Sequence, residues 1–203
     1  MNLCRLLLAC LIAIPLAAAC TSNLTAEEYI DRAEDFIDEG NQKAAEIELK
    51  NALLQNPDNA RARWLLGNLY FESGNLSAAE KELLKARSLG VSDESVLPII
   101  ARTYYYQGKY DEVLRLESSG LATDALAELV ALQGAALIST NRLDEATKRI
   151  NTALSQNPES IEARTQEARL ALAKGDKDTA REHLDRLLSQ TDYAPAWLSL
   201  IHI

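Results

Sequence analysis

Cysteine is missing from most of the chain: the three present are Cys4, Cys10 and Cys20, so nothing after residue 20 can form a disulfide or a thiolate-ligated metal site. Histidine is almost as scarce, with only His183 and His202. Neither a Ser-His-Asp triad nor the paired histidines of a zinc protease can be assembled from these two. The expectation is a non-enzyme with no cofactor and no catalytic or metal-ligating residues. The eight glycines include no phosphate-cradling loop, since every one but Gly90 falls in a repeating column described below, and Gly90 after Leu89 reads as a helix cap. Positive charge is in deficit as well. Lys and Arg total 21 against 30 Asp and Glu, giving a net charge of -9, which excludes a general attraction to nucleic-acid phosphates. What the chain does have is ordinary globular material: 203 residues, 47% hydrophobic and 25% charged, enough for a sizeable core.

The front of the chain reads as an address. Arg5 is followed by an apolar run from Leu6 to Ala19, too short to span a bilayer comfortably and ending on small residues. Residues 1–19 are therefore read as a secretory signal. Ala17-Ala18-Ala19-Cys20 resembles the lipobox of bacterial lipoproteins, which implies acylation of Cys20, although Ala17 stands where Leu is usual. Simple cleavage before Cys20 and lipidation at Cys10 after Leu7-Leu-Ala9 are the competing readings. Thr21 after the cysteine, in such lipoproteins, implies an outer-membrane destination. Removing residues 1–19 takes away one cation, Arg5, and leaves a charge of -10. Residues 20–25 form a short tether whose four residues Thr21 to Leu24 reach only about 14 Å. An anionic lipid surface would repel so acidic a body, so the acyl chains are the expected attachment.

The rest is one motif written five times. A small residue recurs at Ala33, Gly67, Ala101, Gly134 and Ala168, and a turn residue in the same step at Gly40, Gly74, Gly108, Asn141 and Gly175. Further columns run Ala45, Ala79, Val113, Ala146, Ala180 and Ala52, Ala86, Gly120, Ala153, Leu187. Large apolar residues keep phase at Phe36, Tyr70, Tyr104, Leu137 and at Leu49, Leu83, Ile150, Leu184. The spacing within each unit is helical on both sides of the turn, so each unit reads as two antiparallel helices. The turn column holds the two residues best suited to the left-handed backbone that ends a helix. Thr25-Ala-Glu-Glu28 is a capping-box start signal. The third unit departs most, with Val113, Glu117 and Gly120 off pattern, which predicts a short second helix. Pro98 is expected within the first turn of its helix, where a missing amide is tolerated.

These columns, with Asn56-Pro57 and Asn157-Pro158 at unit ends, resemble the tetratricopeptide repeat (TPR) pattern. The resemblance implies an all-α solenoid over 26–197, a right-handed superhelix of about five repeats at 26–59, 60–93, 94–126, 127–160 and 161–194, followed by the start of a sixth. Read together, the lipoprotein start, Lys50-Asn-Ala-Leu53, Ala78-Ala-Glu-Lys-Glu-Leu83, Val96-Leu-Pro-Ile-Ile-Ala-Arg102 and Gln107-Gly-Lys-Tyr-Asp-Glu-Val113 resemble the TPR lipoproteins of exosortase (PEP-CTERM) systems. That family is linked to exopolysaccharide and envelope assembly, and its members are much longer, so the chain would match their amino-terminal part. Residues 198–203, Leu-Ser-Leu-Ile-His-Ile, are identical to the translation of a sequencing-library adapter, the alternative being a short apolar capping helix.

In the TPR fold, first helices line a concave groove. The candidate partner-binding residues there are Arg61, Trp64, Asn68, Phe71, Arg102, Tyr105 and Tyr106, a mixture of arginine and aromatic rings typical of binding hot spots. Units four and five offer mostly Ala131, Ala135, Leu172 and Ala173, which places the site toward the membrane-proximal half. The function expected is a membrane-anchored scaffold that binds an envelope-protein segment and no nucleic acid, in polysaccharide export or protein sorting. A pilotin-like assembly lipoprotein, a carbohydrate-binding module, and a fragment of a longer enzyme are the alternatives.

Overall fold

Every first helix stops where the sequence supplies a residue that tolerates positive φ. Gly40, Gly74, Gly108 and Gly175 take φ between 73° and 84°, and Asn141 takes 58°. The computed structural model describes residues 24–117 and 119–190; the signal segment, Cys20, the opening of a sixth unit and residues 198–203 lie outside the described residues. Among the described residues there are ten helices and no strand. They form five antiparallel pairs: α1 (Ala26–Asp38) with α2 (Gln42–Gln55), α3 (Ala60–Glu72) with α4 (Leu76–Ser88), α5 (Asp93–Tyr106) with α6 (Tyr110–Arg115), α7 (Thr123–Ser139) with α8 (Leu143–Gln156), and α9 (Ile161–Ala173) with α10 (Lys177–Gln190). This is the all-α TPR solenoid that the repeat columns imply.

The pairs close because one column is small and its partner large. A Cβ added at Gly67 would lie 2.7 Å from Leu83 Cγ, and one at Gly134 would lie 2.7 Å from Ile150 Cγ1. The close approach is thus between the small column of the first helix and the Leu49, Leu83, Ile150 column of the second, all three of which are buried. Each such leucine or isoleucine contributes roughly 1.5–3 kcal/mol by leaving water. Pairs are joined by shared cores: Ala79 and Leu83 pack with Val96 and Ile100 of the next unit, and Leu97 and Ala101 with Leu129 and Leu132. The Asn-Pro unit ends are tied down alike. Arg63 Nε donates to the Pro57 carbonyl at 3.0 Å and Arg164 Nε to the Pro158 carbonyl at 2.6 Å.

Helix starts follow local chemistry. Thr25 and Glu28 form the expected reciprocal capping box. At the start of each second helix one column supplies the cap: Asn41, Asn75 and Asp176 accept from the amides of Ala44, Ala78 and Thr179. The same column holds Lys109 and Arg142 in units three and four, where no side chain caps the helix.

One local expectation is corrected in the third unit, while α6 is short as predicted. Pro98 is the sixth residue of α5, beyond the first turn, so the Glu94 carbonyl has no amide to accept from in the helix. Glu94 is an exposed residue in the first turn, while the proline itself is buried. In keeping with that shortness, α6 ends at Arg115 and Gly120 lies in the following connection with φ 84°. The buried Gln133 of α7 seals that early end, its Nε2 donating to the carbonyls of Leu116 at 3.0 Å and Val113 at 3.4 Å.

Candidate functional site

The first helices α3, α5, α7 and α9 lie side by side and bring charged and aromatic side chains to one concave face. At its front, Arg61 of α3 reaches back to α1, pairing with Glu34 and lying 3.5 Å from Asp31 and 4.0 Å from Glu27. In the middle, Arg102 of α5 crosses two helices. Its Nη2 is 2.8 Å from Glu128 Oε1 on α7 and 3.8 Å from Glu162 Oε2 on α9. One guanidinium nitrogen thus serves two carboxylates, which are 27% and 23% exposed. Burial pushes the Glu128 carboxyl above its ordinary range; Arg102 opposes the shift and Glu162 adds to it.

The aromatic residues sit beside this network. Phe71 and Tyr106 have ring centroids 6.1 Å apart, and Tyr105 meets Tyr106 edge-on at 5.7 Å. Tyr106 is 65% exposed, whereas Trp64, Phe71 and Tyr105 are half-buried and also pack against core side chains. The Tyr105 hydroxyl lies 3.2 Å from Ser139 Oγ on α7 and accepts from Arg169 Nη2 on α9 at 2.6 Å. The Arg169 guanidinium is 5.6 Å from the Tyr105 ring centroid, within reach of a cation–π contact. Trp64 borders a cavity of about 360 Å³ against the Gly90–Ser95 segment. Nε1 of Trp64 and Oδ1 of Asn68, one turn apart on α3, are shielded and make no hydrogen bond within the protein.

All seven sequence-derived groove residues lie on two of these elements, Arg61 to Phe71 on α3 and Arg102 to Tyr106 on α5, with Tyr105 linked onward to α7 and α9. Of the four small or apolar residues expected on the groove face of units four and five, Ala131 and Ala135 are fully buried, Leu172 is half-buried and Ala173 is exposed; Glu128, Glu162 and Arg169 bring charge there as well. Their signal was present in the columns: Glu128 and Glu162 share the phase of Arg61, and Arg169 shares that of Asn68 and Arg102. His183 faces the α9–α10 pair, its Nδ1 3.2 Å from Glu167 Oε2. Among the described residues no group of His, Cys, Asp and Glu could hold a metal ion.

Solved structures with the same helical arrangement include MamA from Desulfovibrio magneticus, 17% identical over 81% of this chain and 93% of that one, with a TM-score of 0.65. PilF of Pseudomonas aeruginosa is 21% identical over 85% of this chain and 80% of its own, also at 0.65. YrrB, described as a TPR protein with an unusual peptide-binding site, is 18% identical over 90% of this chain and 94% of its own, at 0.59. No curated protein matches the chain by sequence. The tetratricopeptide repeat family model matches residues 36–102 and 137–201, most of the chain. Repeat register, helix pairing and family match agree, and the chain belongs to the tetratricopeptide repeat family.

Proposed function

We propose that this TPR scaffold is held at the envelope by acylated Cys20 and captures, in its concave groove, an extended cation-bearing segment of another envelope protein. The observation that carries the reading is the Arg102–Glu128–Glu162 network, in which two half-buried carboxylates share one guanidinium beside an exposed tyrosine. A carboxylate can accept several hydrogen bonds, so Glu128 and Glu162 keep capacity for a lysine or arginine of the partner. Exposed acids at Glu27 and Asp31 extend that negative field toward α1. Phe71, Tyr105 and Tyr106 supply the aromatic surface such a segment would rest on. The peptide-binding description of YrrB lends the groove a precedent in the same fold.

The apolar run ending at Ala19-Cys20 supports the anchor, and the motifs from Lys50 to Val113 support a role in exopolysaccharide export or PEP-CTERM protein sorting. A photocrosslinking residue at Tyr106, compared with one at Lys85 on the second-helix side, tests the groove in living envelopes. Crosslinking to a defined polypeptide from position 106 alone is expected. Equal yields from both positions would remove the groove assignment. In the same cells, Cys20→Ser should move the protein from the membrane to the soluble envelope fraction, and full membrane retention would overturn the anchor.

A further inference from the structure

The opposite side of the solenoid carries a second, separate feature. Helix α6 has six residues where α2, α4, α8 and α10 have 13 or 14. Between this stub and α8 lies an open cleft of about 520 Å³. Leu114 and Leu137 line it with apolar surface, and Arg115, Arg142, Lys148 and Arg149 with positive charge against Asp111 and Glu145; Arg115 is paired with Glu112 and Arg142 with Glu145, each at 2.6 Å. In a chain of net charge -9 this is a local reversal of sign. The Glu145 carboxyl reports it: the hydrogen bond from Arg142, with the charges of Arg142, Lys148 and Arg149 behind it, holds that group below its ordinary range.

Arg142 makes the cleft more than a chance cluster. It occupies the column in which Asn41, Asn75 and Asp176 cap their helices, and its backbone, at φ -93° and ψ 62°, matches that of Asn41 at -88° and 69°. A cation at a helix start opposes the macrodipole and leaves the first amides uncapped. Unit four, like unit three with Lys109, therefore forgoes the cap that units one, two and five keep, and places over the cleft a guanidinium that is bonded to Glu145 at 2.8 and 2.6 Å.

We propose that this cleft binds an acidic amphipathic segment of a partner protein, its carboxylates meeting Arg115, Arg142, Lys148 and Arg149 and its apolar side chains resting on Leu114 and Leu137. The occupant's class follows from the lining. Free phosphate has no use for an apolar lining. A uniformly charged polyanion would be repelled by the interspersed Asp111 and Glu145, whereas a polypeptide can alternate its charges to suit. An anionic lipid surface repels a body of this net charge.

The test uses the full chain and a fluorescent helical peptide of about 14 residues, with glutamates along one stripe and leucines along the other. Saturable binding is expected, and Arg142→Asn combined with Arg149→Gln should weaken it about tenfold, two exposed pairs being lost. Arg142→Asn alone should at the same time raise the melting temperature by about 2–4 °C by restoring the cap, so its loss of binding cannot be misfolding. Glu128→Gln in the groove should leave the affinity unchanged. The proposal is overturned if the double variant binds as the parent does, if Glu128→Gln abolishes binding, or if a scrambled peptide of equal composition binds equally. It is also overturned if inorganic phosphate or phosphatidylglycerol vesicles compete as well as unlabelled peptide, or if Arg142→Asn gains no stability.

Discussion

Gly67 and Gly134 occupy equivalent positions, yet their surroundings differ enough to predict different costs for the same substitution. At Gly67 an added methyl would meet Leu83 Cγ at 2.7 Å, Cδ2 at 2.8 Å and the Leu83 amide nitrogen at 3.2 Å, so side chain and backbone both obstruct it. At Gly134 only Ile150 Cγ1 is equally near, and the backbone nitrogen stands off at 3.7 Å. Overpacking costs typically 1–3 kcal/mol, against a helix-propensity gain of ~1 kcal/mol. Gly67→Ala should therefore destabilise by about 1–2 kcal/mol in urea denaturation, and Gly134→Ala by less; equal costs would mean that the hairpin contact is drawn wrongly. Glu128 offers a second prediction at this scale. Because its folded-state pKa lies above the unfolded value, the native state binds extra proton between the two. Stability should fall as pH rises from the ordinary glutamate value through that window. Glu128→Gln should remove this part of the slope, while carboxyls held low, such as Asp93 beside Arg87, keep their opposite contribution at lower pH. Melting curves of both proteins across the acid range check it, and parallel profiles would contradict it.

Among the elements, the first helices separate what was legible in the sequence from what was not. The turn column and the capping box at Thr25 and Glu28 could be read directly, because glycine, asparagine and capping residues act through their own backbone neighbours. The groove face of α7 and α9 could not be read by composition alone. Ala131 and Ala135 look like surface alanines until the adjacent helices are in place, and Glu128 gains its meaning only from Arg102, which arrives from another unit. Pro98 misled for a related reason: its place in the helix depends on where α5 starts, at Asp93, and its ring is buried among neighbours that the local sequence does not name. The capping column supplies the prediction for this scale. Asn75→Ala should cost about 0.5–2 kcal/mol through the lost acceptor for the Ala78 amide. Arg142→Ala loses no cap and should cost nothing on that account. Equilibrium unfolding of the pair would show the difference, and equal losses would mean that the column does not act through capping.

The whole molecule is a stack in which each unit buries the face its neighbour leaves open, so stability and binding are distributed along it differently. Cores are shared between successive units, as where Ala79 and Leu83 meet Val96 and Ile100, and a packing defect should therefore spread. The groove instead gathers side chains from α3, α5, α7 and α9, and among its aromatic residues Tyr106 is the most open, at 65% exposure, while Trp64, Phe71 and Tyr105 also pack on the core. Whether this concave face is a binding surface is decided by measuring affinity and melting temperature together for Tyr106→Ala, using the segment crosslinked at that position as ligand. Affinity should weaken by about 1–4 kcal/mol with the melt nearly unchanged, while Lys85→Ala alters neither. Unchanged affinity in a normally folded Tyr106→Ala protein would contradict the groove assignment.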